Sequence, residues 1–206
     1  MTHSRTHTVV MLAYDGCQSL DVTGPWEVFA KAAQFAAAQT TVAAYRLVLA
    51  SPLGGTVHTN SGIQLGNACA LDALRGPIDT VLVVGGDQEA LGRAMQSGPL
   101  LPWLQRKART VRRMGSVCTG AFALAGAGLL DGRRATTHWH SCARLAAMHP
   151  QIQVEPDAIY VCDPPFYSSA GITAAIDLAL ALVEADLGQD VALAVARDLV
   201  LYLRRP

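Results

Sequence analysis

"GSVCTGAFALAGAGLL", residues 115–130, is the stretch whose reading decides the fold. A short apolar run ends on Cys118, and a segment rich in alanine and glycine with helical character follows. A strand that turns sharply into a helix at a cysteine has the shape of a nucleophile elbow. There the central side chain is held in a strained conformation and projects from the turn. Ser116, two residues before the cysteine, and Gly120, two after, are small enough for strand and helix to approach closely. The helix would bring free N–H groups and the positive end of its dipole to the sulfur, stabilising thiolate and lowering the thiol pKa. The sequence thus predicts an exposed, partly ionised Cys118, the most readily oxidised of the five cysteines. For Cys17, Cys69, Cys142 and Cys162 the expectation is a small buried hydrophobe.

Outward from that turn, strands and helices alternate. "HTVVMLAY" (7–14), "YRLVLAS" (45–51), "DTVLVVGG" (79–86) and "VRRMGSV" (111–117) read as strands, the third most strongly. "GGTVHTNSGIQLG" (54–66) reads as two short strands around a Thr-Asn-Ser-Gly turn. "RRATTHW" (133–139) reads as a strand, and "AIYVCDPPFYSSA" (158–170) as two. Helices are expected over "GPWEVFAKAAQFAAA" (24–38), with Gly24 as N-cap and Pro25 at the first helical position. Further helices are expected over 90–96, 100–108, 119–130 and 141–148. Two more follow over 172–187 and 190–205, hinged at Gly188. This alternation predicts an α/β sandwich with a mainly parallel sheet and helices on both faces. No repeat or linker interrupts it, so residues 1–206 are expected to form one domain. In such sheets ligands gather beyond the carboxyl ends of the strands. The turns at 15–21, 85–87, 118–119 and 138–140 are therefore where function is expected.

Composition narrows the classes. Sixteen basic and sixteen acidic residues balance, and 51% of the 206 residues are hydrophobic. That favours a soluble, ordered protein over a disordered chain and argues against a nucleic-acid surface. The basic run at 105–113 reads as a solvated helix end leading into a strand. Five scattered cysteines without paired spacing argue against a disulfide framework or a zinc site and point to the cytoplasm. No apolar run is long enough to cross a membrane, and the first sixteen residues make a poor signal peptide.

Other candidates surround Cys118. Gly85 and Gly86 offer backbone N–H groups where an oxyanion would need them, or merely form a tight turn. Asp21 sits just ahead of the first long helix, as an acid–base group or a polar turn residue. In "SSAGIT" (168–173), Ser169 and Gly171 are placed to line the same cavity, with Ser169 alternatively an ordinary cap. His138 and His140 are spaced as metal ligands, but no second pair accompanies them, so neither metal nor cofactor is expected. Trp26, Trp103 and Trp139 read as core or interface anchors, with Trp139 placed to wall the pocket.

The stretches "LDVTGPWEVF", "VLVVGG", "VCTGAFALAGAGLLDGRRATTHW" and "SSAGITAAIDLALALVEADLG" together resemble the ThiJ/PfpI group of the class I glutamine amidotransferase-like superfamily. The resemblance implies a flavodoxin-like three-layer sandwich, usually dimeric, with Cys118 as nucleophile and Asp21 approaching its sulfur from the loop after the first strand. The aspartate in "LDVTGP" looks like that of the isonitrile hydratases, where it serves as general acid–base. His138 matches a histidine beside the nucleophile in some relatives. Protease-like members carry histidine directly after the cysteine. Thr119 stands here instead, so peptidase activity is not expected.

"CTGAFALAGAGLLDGRRATTHW", "EPDAIYV" and "ALALVEADLGQDVALAVARDLVLYLRRP" (179–206) look most like the amino-terminal domain of AraC-type transcription regulators. That resemblance implies a domain that binds a small molecule near Cys118, with Thr119, Gly85, Gly86, Ser169 and Gly171 contributing. DNA would be contacted only through a helix-turn-helix domain absent from this chain, whose end at Pro206 suggests an excised domain. The alternatives are an isonitrile hydratase-like enzyme using Cys118 and Asp21, and a scaffold whose low-pKa thiol senses oxidation.

Overall fold

The computed structural model describes residues 6–37, 44–96 and 98–201. The first strand, β1 (His7–Leu12), has five consecutive buried residues, the signature of a strand covered on both faces. It is followed by α1 (Ser19–Ala37), β2 (Tyr45–Ser51), β3 (Gly55–His58), β4 (Gln64–Ala70) and β5 (Thr80–Val83). Next come α2 (Gln88–Gln96), α3 (Leu100–Lys107) and β6 (Arg113–Val117). A single 3-10 turn over Cys118–Gly120 then leads into α4 (Ala121–Gly126). The remainder is β7 (Arg134–Ala135), α5 (Cys142–Met148), β8 (Gln153–Val154), β9 (Tyr160–Asp163), β10 (Phe166–Ser169), α6 (Ala174–Leu187) and α7 (Gln189–Asp198).

Eight strands form one sheet in the order β3-β4-β2-β1-β5-β6-β10-β9. From β4 through β10 every neighbouring pair is parallel, and only the two outer hairpins, β3–β4 and β9–β10, are antiparallel. Helices α1, α6 and α7 pack together on one face, and α2, α3 and α4 on the other. This is the flavodoxin-like three-layer sandwich expected from the alternation of elements. The strand order reverses on either side of β1, where β2 lies on one flank and β5 on the other. The crevice beyond the carboxyl ends of β1, β5 and β6 is therefore the natural ligand position.

Several boundaries differ from the sequence reading. Helix α1 starts at Ser19, five residues before Gly24, so Gly24 is no N-cap and Pro25 lies inside the helix. Strand β1 ends at Leu12, two residues short of the run read as strand. Cys17 bridges Gly86, and the Gln18 N–H donates to the Gly85 carbonyl, 2.9 Å. The chain is then free to coil from Ser19. Pro25 removes only the N–H that would reach the carbonyl of Asp21.

The helix expected to run to residue 130 ends at Gly126, where Gly128 at φ +70° turns the chain. "RRATTHW" yields only the two residues of β7. They pair with β8 in a separate small sheet rather than joining the main one. The basic run divides as expected between an exposed helix end and a strand entry. Its last member, Arg113, is instead buried against Asp186, 2.8 Å. Trp103 is buried and donates its indole N–H to the Leu71 carbonyl, 3.1 Å, whereas Trp139 is 71% exposed and anchors no core. The expected final helix stops at Asp198, and its last four residues, 202–205, lie outside the described residues, as does Ala38 at the end of the first.

Gly92 occupies the middle of α2 with an ordinary helical backbone, and a Cβ built there meets no atom within 4 Å. Glycine at such a position costs about 1 kcal/mol relative to alanine. Gly92→Ala is therefore expected to stabilise the fold by about 0.5–1 kcal/mol, raising the melting temperature by roughly 2–4 °C in calorimetry.

Candidate functional site

Cys118 is the first residue after β6, at φ +54°, a left-handed conformation that an L-residue adopts only when its surroundings hold it there. Three neighbours hold it. The Thr137 hydroxyl donates to the Cys118 carbonyl, 2.8 Å. A Cβ at Gly120 would lie 2.2 Å from the Val83 carbonyl oxygen, so only glycine lets the turn close against β5. Gly171, at φ +95°, crosses directly over the cysteine, and a Cβ there would fall 2.2 Å from the Cys118 Cβ and 2.8 Å from its Sγ. The sulfur is consequently roofed, and Cys118 is only 7% exposed.

Asp21 reaches the sulfur from the first turn of α1, not from a loop. Its carboxylate is wholly buried and accepts two backbone N–H groups, from Gly85 to Oδ2 at 3.0 Å and from Ile172 to Oδ1 at 3.0 Å. The Cys118 thiol is hydrogen-bonded to the same carboxylate. Burial pushes Asp21 up to about 6, against the pull of those three donors. Burial likewise pushes the Cys118 thiol up to about 12. The negative charge of Asp21 adds to that effect, and the Thr119 N–H only partly opposes it.

The thiolate expected from the helix dipole is thus overturned. The segment after the cysteine is one tight 3-10 turn, and the nearest full charge is a carboxylate. At neutral pH this thiol is protonated, and nothing about its setting favours oxidation over that of Cys162, which is exposed.

The oxyanion reading of Gly85 and Gly86 also fails. The Gly85 N–H is spent on Asp21, and the Gly86 N–H donates to Thr119 Oγ1, 2.9 Å, whose hydroxyl returns a bond to the Gly86 carbonyl, 3.0 Å. Thr119 is therefore a clamp between β5 and the cysteine turn. Ser169 is wholly buried on β10, and its hydroxyl finds no hydrogen-bond partner among the described residues. The residue preceding α6 is Thr173, without a side-chain cap, so Ser169 neither caps that helix nor faces the cavity.

A cavity of about 270 Å³ opens over the thiol. Cys118, Thr119, Gly86 and His138 line it, together with Ile172, while Gln18, Asn60, Asp87 and Gln88 form its mouth. Asp21, Gly85 and Gly171 stand behind this lining and shape it. His138 lies at the cavity with its ring 5.7 Å from that of Trp139, which itself stacks edge-on to His140 at 5.2 Å. Among the described residues no group of three or more His, Cys, Asp or Glu side chains is placed to hold a metal ion. No helix among them is long and apolar enough to cross a membrane. Sequence reasoning placed the stretch 168–173 at the cavity without singling out Ile172, and it missed Asn60 and Gln88. Ile172 acts through its backbone N–H at φ +45°, for which a β-branched residue gives no signal. Asn60 arrives from the β3–β4 turn and is distant in sequence from every other wall.

A model of the DJ-1/PfpI family matches residues 7–185. The chain is 42% identical over 149 residues to an "uncharacterized protein in cpoL 5'region" of Streptomyces lividans, covering 70% of this chain and 96% of that protein. It is 36% identical over 162 residues to the HTH-type transcriptional regulator CdhR of Pseudomonas aeruginosa. That match covers 79% of this chain but only 47% of the regulator, so the chain spans about half its length. It is 33% identical over 186 residues to an isonitrile hydratase of Pseudomonas putida, covering 88% of this chain and 72% of that enzyme. Among solved structures, a ThiJ/PfpI family protein from Pseudomonas syringae superposes with a TM-score of 0.82 at 22% identity, covering 98% of this chain and 77% of that one.

Two outcomes follow from the site's physics. Gly171→Ala forces a side chain into Cys118 at an unfavourable φ and is expected to cost roughly 2 kcal/mol in urea unfolding. Asp21 binds its proton more tightly folded than unfolded. The stability this contributes is full below about pH 4 and is lost as pH rises through about 6. In Asp21→Asn that loss is absent, so the difference in unfolding free energy between variant and wild type should move in the variant's favour across this window.

Proposed function

The chain belongs to the DJ-1/PfpI family, and from that premise we propose that it is the small-molecule-binding domain of an AraC-type transcription regulator. The observation that carries this reading is how the polar groups around Cys118 are used. A site built to stabilise an anionic intermediate keeps donors free and aimed at the developing charge. Here the Gly85 and Gly86 N–H groups are engaged within the protein, and the thiol is held protonated. The polar side chains that face the cavity are the mouth amides, the His138 imidazole and the Asp87 carboxylate. They are held to one another and to the rim by single exposed bonds, Asn60 to Asp87 and Arg144 to Gln88, that a ligand can replace. That equipment suits reversible recognition of a small polar molecule. The likeness to CdhR over most of this chain supports the regulator context. In that context the domain acts in the cytoplasm as a homodimer, and exposed Leu53 and Ile63 favour self-association. DNA contact would fall to a part of the regulator outside residues 1–206.

One observation favours a second reading, an isonitrile hydratase. Asp21, pushed up to about 6 and hydrogen-bonded to the thiol, is a proton acceptor matched to neutral pH. The sulfur would add to the terminal carbon of an isonitrile while its proton passes through Asp21 to the same carbon, giving a thioimidate. Water would then displace the sulfur and leave an N-substituted formamide, restoring the thiol.

Alkylation of Cys118 by iodoacetamide, followed by mass spectrometry, separates the readings. Under the binding reading, at least one member of a panel of small polar metabolites slows alkylation of Cys118 saturably, leaves Cys162 untouched, and emerges chemically unchanged. Failure of every member to protect Cys118 would count against it. Formamide production from an isonitrile, reduced by about 100-fold or more in both Cys118→Ala and Asp21→Asn, would establish the hydratase instead.

A further inference from the structure

Helix α2 carries a glycine for which the fold itself has no use. The Gly92 backbone is helical, and the space where its side chain would stand is open. That space is part of a cleft of about 230 Å³ between α2, α4 and α5, walled by Leu91, Gly92, Met95, Phe122 and Met148. Arg144 crosses its rim. The guanidinium lies over the Phe122 ring, 5.5 Å from the centroid, and donates to the side-chain carbonyl of Gln88. Gln88 and Thr119 wall this cleft on one side and the Cys118 cavity on the other. The two spaces therefore adjoin across a single pair of side chains, one of them an exposed glutamine at the start of α2.

Their chemistries differ. The cavity over the thiol is lined mainly by amides, an imidazole and a carboxylate. The cleft adds Leu91, Met95, Phe122 and Met148, with Gln96, Arg144 and His149 as its polar members beside the shared Gln88 and Thr119. We propose that the cleft is the second compartment of the ligand site, receiving the alkyl or aryl arm of an amphipathic small molecule whose polar head lies over Cys118. The inference rests on the binding reading of that cavity and specifies the ligand's class. An apolar cavity of about 150 Å³ admits benzene, so this cleft has room for a six-membered ring or a short branched chain. Gly92 keeps the floor clear, and Arg144, braced on Phe122 and Gln88, closes the rim over the arm. A larger residue at position 92 would fill the compartment without disturbing the helix.

Iodoacetamide and its N-benzyl analogue carry one electrophile and differ only in the arm, which makes them a direct test. Each is reacted with the intact chain, and alkylation of Cys118 is read by mass spectrometry against that of exposed Cys162 in the same molecule. Burial of the ring predicts that the benzyl-to-plain rate ratio is about tenfold higher at Cys118 than at Cys162. In Gly92→Leu, with a melting temperature no lower than wild type, the Cys118 ratio should fall to that of Cys162. Equal ratios at the two cysteines in the wild type overturn the compartment while leaving the cavity reading intact. Where the protonated thiol reacts with neither reagent, N-benzylacetamide is titrated instead, and binding to wild type no tighter than to Gly92→Leu overturns the compartment. A dimer present in the wild type and lost in Gly92→Leu assigns the cleft to a subunit interface and likewise overturns the proposal.

Discussion

The site is organised around one buried carboxylate. Asp21 has no exposure to water, and a charge in that position is tolerable only if donors surround it. It recruits them from three parts of the chain: the Gly85 N–H after β5, the Ile172 N–H after β10, and the Cys118 thiol after β6. Three strand ends are thereby tied to the first turn of α1. The thiol's high pKa is a consequence of the same arrangement, because a thiolate beside this carboxylate would place two negative charges in one dry pocket. The interaction that builds the site therefore sets its resting state as a protonated thiol on a charged or neutral acid. Asp21, not the sulfur, is the group whose protonation changes near neutral pH.

Steric constraint does the rest. At Gly85, Gly120 and Gly171 an added Cβ would approach backbone or Cys118 atoms within 2.6 Å or less. The chain passes the cysteine on three sides with no side chain intervening, which is how a small-residue turn becomes a narrow, defined cavity rather than an open surface. Gly92 is of the other kind, a helical glycine beside the site that nothing crowds. The contrast between a glycine required by contact and one surrounded by space separates a packing need from reserved volume.

Much of this was legible in the sequence, and for identifiable reasons. Buried parallel strands announce themselves as continuous apolar runs, so β1, β2, β5 and β6 and their helices were readable, and the Cys118 turn with them. Tertiary override explains what was not. Helix α1 starts early because Cys17 and Gln18 are fixed by Gly86 and Gly85 immediately before Ser19, and no local propensity encodes a partner seventy residues away. The thiol's ionisation was misread because the helix dipole is a local cue while burial and Asp21 are not. The donors at Gly85 and Gly86 were correctly placed near the sulfur. Whether they were free depended on acceptors contributed by Asp21 and Thr119, a matter of three-dimensional pairing. Ser169 shows the same limit, since a strand residue's facing depends on a register the sequence does not fix.

The roof over the cysteine also connects the site to the helical layer. Gly171 and Ile172 belong to the short segment between β10 and α6, and Ala175, in the first turn of α6, packs against Cys118 and Val117. At the other end of α6, Asp186 is buried beneath Arg112 at 2.6 Å, Arg113 at 2.8 Å and the Tyr45 hydroxyl at 3.0 Å. Burial works against its ionisation, but the two guanidinium groups outweigh that and hold its carboxyl below the usual value. Removing one partner from such a buried pair costs about 3–5 kcal/mol, so this end of α6 is fixed to β2 and β6. The opposite end is joined by one hydrogen bond, from the Ile172 N–H at 3.0 Å, to a carboxylate whose proton affinity lies near neutrality. Helix α7 follows after Gly188 alone, so the segment that roofs Cys118 and the last described helix are joined through α6.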